Sequence, residues 1–448
     1  MGAHRSRRRP LLVRPSTSSL RRILQSTRAS DAIGQPTNVC ATSTTVVTDT
    51  EWTSASGPYM LTCYVQVSSG ATLTIDPGVV VEASGNAGIY VQGTLRAQGT
   101  VDAPITFQST SGNPSRGDWT GLFFDGSEAS GSQLSYVTIA DAGRTYGADR
   151  WGWGWRGGWG GWLCSEPGYA GPSAGGSNGH ECVTDAVLLR TASPTFDHVT
   201  IRDSQTDGLY AMGDVPPLQL TNDTFVDNSG YAVHLENIAS LPVQVGTFAF
   251  TGNGGGDYPR PGDSIAINGG VLTSGNAVTA TQALTYTLLG YPTIAPEATF
   301  SLAPGSVVLA GGNAGLYVRG TLLAQGTADA PITFRSMSGS PGRGDWTGLF
   351  FDGPDASGSQ LSYVTVQDAG RSYGADRWGW GWRGGWGGWL CSEAGYAGPS
   401  AGGSNGHECY TDAVLLRTAS PTFDHVTIRD SQTDGLYAAW FILRLEIW

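Results

Sequence analysis

The residues best suited to chemistry form one stretch that occurs twice. Trp151-Gly-Trp-Gly-Trp-Arg-Gly-Gly-Trp-Gly-Gly-Trp162 is followed by Cys164 and Cys182. Its copy runs from Trp378 through Trp380, Trp382, Trp386 and Trp389 to Cys391 and Cys409. In an extended segment, side chains alternate between faces, so Trp151, Trp153 and Trp155 would share one face. Trp159 and Trp162 follow after Gly-Gly spacers. Flat indole faces can stack on sugar rings and the ring N–H can donate to a hydroxyl. Arg150 and Arg156 would add contacts to acidic sugars. These ten tryptophans are therefore candidate carbohydrate-binding residues. Two other outcomes suit the same composition. The indoles can fold back as a local apolar cluster, or present a patch through which chains self-associate.

Cysteine usage is even. Cys40, Cys63, Cys164, Cys182, Cys391 and Cys409 pair most simply as three local disulfides, 40–63, 164–182 and 391–409, which implies an oxidising, extracellular or cell-surface setting. A rival metal site from Cys164, His180 and Cys182, with Glu181, lacks the short spacing and four ligands of a closed zinc centre. No metal is expected. Calcium bridging between coils is the only cofactor the many Asp leave open, and there is no EF-hand or nonapeptide signature for it.

Carboxylates recur beside strand ends: Asp118, Asp125, Asp141, Asp185, Asp197, Asp203 and Asp207. Paired in space they could run acid–base glycoside chemistry; in turns, Asp more often caps backbone groups. His198 and His425 stand in strand-like runs beside Val199 and Val426, and alternation puts them on the solvent side. No catalytic residue can be assigned from these patterns.

These groups need a scaffold. The chain has 448 residues, 66 of them Gly, and only 14% are charged. Such composition disfavours long helices. Short runs such as Thr72–Ile75, Val79–Val81, Ile89–Val91, Ile105–Phe107, Trp119–Phe124 and Tyr136–Ile139 are strand-length, β-branched or aromatic, and bounded by turn residues. They repeat. The run Asp197–Asp203 aligns at an offset of 24 with the run ending at Asp227, setting Ile201 on Phe225. A further run ends at Phe250. Ser135–Asp141 matches Asp197–Asp203 at an offset of 62, one coil plus an insertion that holds the Trp segment. Strand-and-turn repeats of this length are the mark of a solenoid, in which stacked coils bury one continuous core.

A larger period lies above this one. Residues 86–211 reappear as 313–438, with 15 differences in 126 positions, only 3 of them after residue 140. The expected organisation is a disordered Arg/Ser-rich segment (1–38), a first unit (39–285) with an inserted loop at about 142–182, and a second unit (286–448) with its loop at about 369–409, truncated at the C-terminus.

Charge narrows the partners. The chain has no Lys, and 8 of its 25 Arg lie in residues 1–28, leaving the body with 17 Arg against 37 Asp and Glu. So acidic a body argues against nucleic-acid binding. No apolar run is long enough to span a bilayer as a helix.

Gly70-Ala-Thr-Leu-Thr-Ile-Asp-Pro-Gly78, Gly93–Thr100, Ala103–Phe107, Trp119–Phe124 and Leu134–Ile139, in that order, resemble bacterial secreted right-handed parallel β-helix proteins of the pectate-lyase-like superfold. The resemblance covers roughly residues 58–438. It implies an all-β, right-handed parallel β-helix in two tandem units with inserted Trp/Gly-rich loops. Catalytic motifs of pectin-acting members are not matched. Asp197-His198 has no accompanying Arg-x-Pro-x-x-Arg, and Thr206-Asp-Gly208 is a fragment of a polygalacturonase-like Asn-Thr-Asp. The expected function is that of an extracellular surface or adhesion protein binding polysaccharide. A polysaccharide lyase or glycoside hydrolase, or a purely structural spacer, are the alternatives.

Overall fold

The computed structural model describes residues 36–41, 44–144, 173–174, 181–182, 185–245, 247–255, 260–371, 400–401, 408–409 and 412–439. Apart from one two-residue antiparallel pairing within each inserted segment, every strand pairing among the described residues is parallel. Helical elements among the described residues are 3-10 turns such as Ser127–Gly131. The chain winds through three sheets per coil: Thr94–Gln98, then Ile105–Ser109, then Gly121–Asp125, then Gln133–Ser135 on top of Thr94–Gln98. The first sheet contains Ile105–Ser109, the second Gly121–Asp125 and the third Thr94–Gln98. This is a right-handed parallel β-helix, the hand that parallel crossovers overwhelmingly take.

The repeat read from sequence is the strand register. Ile139 pairs with Ile201, Ile201 with Phe225 and Phe225 with Phe250, one residue per coil in the first sheet. In the second sheet Ile89, Leu122, Val187, Leu209, Val233 and Ile265 form a matching inward column. Each of these is buried except Phe250, which packs half-buried against the same core. Apolar residues stacked in register keep water off every rung, so the coils share one core instead of holding several small ones.

Two runs read as strands begin later in the structure than expected. Trp119 and Thr120 precede the strand that starts at Gly121. Tyr136 adopts a positive φ of 50° between Gln133–Ser135 and Val137–Ala140. His198 (φ 56°) and Asn222 (φ 56°) occupy the same corner one and two coils on. His198 is exposed, as alternation suggested, but because it lies in this left-handed turn and not because it alternates along a strand. A tight corner between two sheets requires that backbone, and here non-glycine residues adopt it.

Along the second sheet, strand pairing runs without a break from one repeat into the other. Thr285–Leu288 stacks on Ile265–Gly269, and Val307–Ala310 stacks on Thr285–Leu288. At the far end Phe423, Val426 and Ile428 are only half-buried, whereas their twins Phe196, Val199 and Ile201 are buried. In the first repeat those three are covered by the coil of Leu220 and Phe225.

Cys40 and Cys63 are disulfide-bonded, tying the segment at 37–41 to the first full coil. Cys164 and Cys391 lie outside the described residues, and with them the other two expected pairings.

Candidate functional site

The inserted segment leaves the solenoid at one defined corner. The first-sheet strand Val137–Ala140 ends, and the second-sheet strand of the same coil begins at Val187. In the next coil that corner is crossed in six residues, between Arg202 and Leu209. In the second repeat the segment leaves after Gln367 and returns at Val414. All ten candidate tryptophans, together with His180, lie outside the described residues. Each segment does contain a described antiparallel pairing, Ser173–Ala174 with Glu181–Cys182 and Ser400–Ala401 with Glu408–Cys409.

The base of the segment is fixed by a buried tryptophan that the sequence reading placed only as strand. Trp119 is fully buried and its ring N–H donates to the carbonyl of Ala140 over 2.7 Å. Trp346 does the same to Gln367 over 2.8 Å. Arg144 and Arg371, the last described residues before each segment, donate to the carbonyls of Gly117 and Gly344.

Beside this corner, the outward face of the second sheet carries an aromatic column: Tyr90, Phe123, Leu188 and Tyr210, paired in register. These side chains point away from the core, yet each is buried. The Tyr90 and Phe123 rings stack at 4.9 Å, and the Arg190 guanidinium lies 5.7 Å from the Phe123 centroid. The next outward column holds Asp125 and Arg190. The guanidinium grips both carboxylate oxygens, at 2.8 and 2.6 Å, and the Tyr90 hydroxyl donates to the same carboxylate at 2.6 Å. Burial opposes the charge on Asp125, but the bonds from Arg190 and Tyr90 outweigh it and hold the carboxyl below its usual range. Tyr317, Asp352 and Arg417 repeat this cluster. The bidentate geometry satisfies both partners, so the cluster is a fastener of the sheet surface.

The candidate carboxylates are engaged in local hydrogen bonds and ion pairs, and two of them, Asp118 and Asp141, meet at Ser109. Asp118 accepts from the Ser109 hydroxyl and the Ser115 amide, and Asp141 from the Ser109 amide. Burial raises the Asp141 carboxyl above its usual range. Asp185 accepts from the Asp207 amide, and Asp207 from the Tyr231 amide one coil further. Asp203 pairs with Arg202. These are bonds that close turns and join coils, the bland reading of Asp in this fold. Asp197 bonds His198 Nδ1 at 2.7 Å, and that imidazole stacks on Tyr136 at 4.7 Å; Asp424, His425 and Tyr363 repeat it.

Two buried groups escaped sequence reasoning. His234 is enclosed in the second sheet, its Nδ1 2.9 Å from Asp207 and its Nε2 2.8 Å from Asn268. Their separations of 27 and 34 residues gave no signal without the coil register. Asp223, buried at the corner below Val199, accepts from the amides of Val199 and Thr221, and burial pushes its carboxyl up to about 7. Unfolded, that carboxyl titrates near its ordinary value of 3.8. The folded state therefore favours the protonated form. That contribution is complete below about pH 4 and is lost as pH rises through about 7, by up to about 4 kcal/mol. The Asp223→Asn variant should lack this slope. Urea midpoints of both proteins between pH 4.5 and 8 check it, and parallel curves would contradict it.

Among the described residues no group of three or more His, Cys, Asp or Glu is placed to hold a metal ion. Nor is any described helix long and apolar enough to cross a membrane.

Three-sheet parallel coils with inward ladders define a parallel β-helix. Residues 44–151 match the family model of the pectate-lyase like beta helix domain. No curated protein and no solved structure matches the chain. The domain class suggests a polysaccharide-related role.

Proposed function

We propose that the chain is a non-catalytic polysaccharide-binding protein of the cell exterior, acting through its two Trp-rich segments. The observation that carries this reading is that the same segment is inserted at the same strand junction in both repeats, between Ala140 and Val187 and between Gln367 and Val414. The solenoid holds its twin Trp119 and Trp346 anchors at those junctions. Rigid elements presenting aromatic-rich connections suit recognition of flat sugar rings. The seven candidate carboxylates are engaged in turns, coil-to-coil bonds and ion pairs, which favours binding over glycosidic chemistry. The Cys40–Cys63 bond fits an oxidising compartment.

The test incubates the chain with xyloglucan, xylan, mixed-linkage β-glucan, cellulose, chitin and polygalacturonate. Protein retention and release of reducing or unsaturated ends are both recorded. Retention without products is expected. Changing Trp151, Trp153, Trp155, Trp378, Trp380 and Trp382 to Ala should abolish retention, a loss of at least tenfold if each repeat contributes one stacked ring worth about 1–1.5 kcal/mol. Unchanged retention, or products, would overturn the reading.

A further inference from the structure

The coil that ends the second repeat has a twin in the first repeat whose face is occupied. Residues 413–438 are identical in sequence to residues 186–211. In the first repeat the next coil covers this face. Leu220 stacks on Phe196, and Phe225 on Ile201. The amides of His198, Asp203 and Leu209 donate to the carbonyls of Thr221, Val226 and Ala232, at 2.8, 3.1 and 3.1 Å. In the second repeat Thr422–Arg429 pairs along one edge, with Gln360–Gln367, and Leu436–Ala439 along one edge, with Val414–Arg417. Among the described residues no later strand lies on either of them. There the amides of His425, Asp430 and Leu436 have no counterpart of the acceptors that serve their twins. Phe423, Val426 and Ile428 are half-buried and Leu436 is exposed.

The opposite end is closed. Thr37–Asn38 pairs with Tyr59–Leu61, Val39 is buried in the core, and the Cys40–Cys63 bond holds this segment in place. A second copy stacking head to tail would have to displace it.

An uncovered edge is a row of N–H and C=O groups ready to pair with another strand. This edge matches itself. It turns its corner at His425, where φ is 51°. Alternate residues of a strand aim their backbone groups to the same side. His198 and Asp203 donate toward the following coil, so Phe423 and Ile428 aim their backbone groups at the open side. A two-fold axis midway between His425 and Val426 lays residues 422–424 of each copy antiparallel over residues 426–429 of the other. Phe423 then faces Ile428 of the second copy, both on the inward side, and the two exchange a pair of backbone hydrogen bonds. On the outer side Asp424 faces Thr427 and Thr422 faces Arg429, so no like charges meet. The same axis crosses the third side of the coil, where Leu436–Ala439 meets its own copy.

The geometry points to a homodimer joined end to end: the face of Thr422–Arg429 and Leu436–Ala439 binds the same face of a second copy. Phe423, Val426, Ile428 and Leu436 of both chains are buried together in one continuous core. The contact is isologous, so assembly stops at two chains. The inference does not depend on polysaccharide binding.

Size exclusion with light scattering on the full chain is the first test. The mass should be that of two chains and fall to one on dilution. The I428E variant puts a charge into the contact and should weaken dimerisation about a hundredfold or more, the consequence of burying an unpaired charge. Its circular dichroism should match the native chain, because Ile428 is only half-buried within one chain. A second test leaves the core untouched. Side chains directly opposite on antiparallel strands have Cβ atoms about 4.5–5.5 Å apart, close enough to the spacing of a disulfide to be trapped as one. T422C chains mixed with R429C chains should therefore form a 422–429 disulfide, seen by mass spectrometry of a non-reducing digest. T422C chains alone should stay unlinked. A native chain that is monomeric at every concentration, a dimer that I428E leaves intact, or the absence of the 422–429 link would each overturn the inference. So would a native monomer that dimerises only when shortened to end at Ala439, since that result assigns the face to residues 440–448 of the same chain.

Discussion

Replacing Trp119 with Ala is expected to destabilise the first repeat by about 3–5 kcal/mol, the range for truncating a large buried aromatic. The ring is fully buried in the common core, so its removal leaves a cavity that stacked strands on either side cannot collapse to fill. It also deprives the Ala140 carbonyl of its indole donor, which adds about 1 kcal/mol or more when the acceptor stays buried. The effect should be local, because each coil leans only on its neighbours. Hydrogen exchange would show faster exchange at residues 137–144 in the variant and little change at the twin positions 364–371. Trp119→Phe should lose less, since most of the volume stays and only the N–H goes. Equal protection of the native chain and the alanine variant at 137–144 would contradict this account.

Substituting Gly121 with Ala should be comparably damaging, although it adds only a methyl group. Gly121 has φ +136°, a conformation that side chains rarely adopt. A Cβ there would lie 2.5 Å from the Asp185 carbonyl oxygen and 2.6 Å from that of Ala186. Both are backbone atoms of the next coil, so relief requires the coils to part. Backbone strain of about 1–3 kcal/mol adds to overpacking of about 1–3 kcal/mol. The site stands where the second-sheet strand begins, directly beneath the return of the inserted segment. Gly112→Ala is the control: no atom lies within 4 Å of a Cβ at that exposed turn, and its urea midpoint should match the parent. Gly121→Ala should lower the midpoint clearly or yield insoluble protein. A midpoint equal to that of the control would count against this steric argument.

The inserted segments and the carboxylates illustrate how sequence and structure divide the functional question. The Trp alternation and its duplication were legible because they are local. The roles of the carboxylates were not. Asp207 and Asp141 resemble candidate acids in a one-dimensional reading, and only the coil register shows them holding the Tyr231 and Ser109 amides. His234 illustrates the reverse case. It lies between Asp207 and Asn268, three residues that no motif joins, because a solenoid sets residues a coil apart side by side.

What the sequence determined by itself was the coil. Offsets of 24 and 62 residues placed Ile139, Ile201 and Phe225 in one column, and the structure pairs those residues. They could do so because burying one apolar face per rung forces residues of like character into register. What only the tertiary structure decided was the phase between the repeats. A shift of 227 residues is silent on this point, since coil lengths vary with every insertion and no local pattern records how many faces the chain has turned. The pairing of Ile265 with Tyr286 sets it, through a short coil in which Thr285–Leu288, the twin of the first-sheet strand Tyr59–Leu61, fits the end of the second sheet. Register along a strand is fixed by hydrophobic alternation, but the choice of which sheet receives the next strand depends on which open edge the connecting turn can reach.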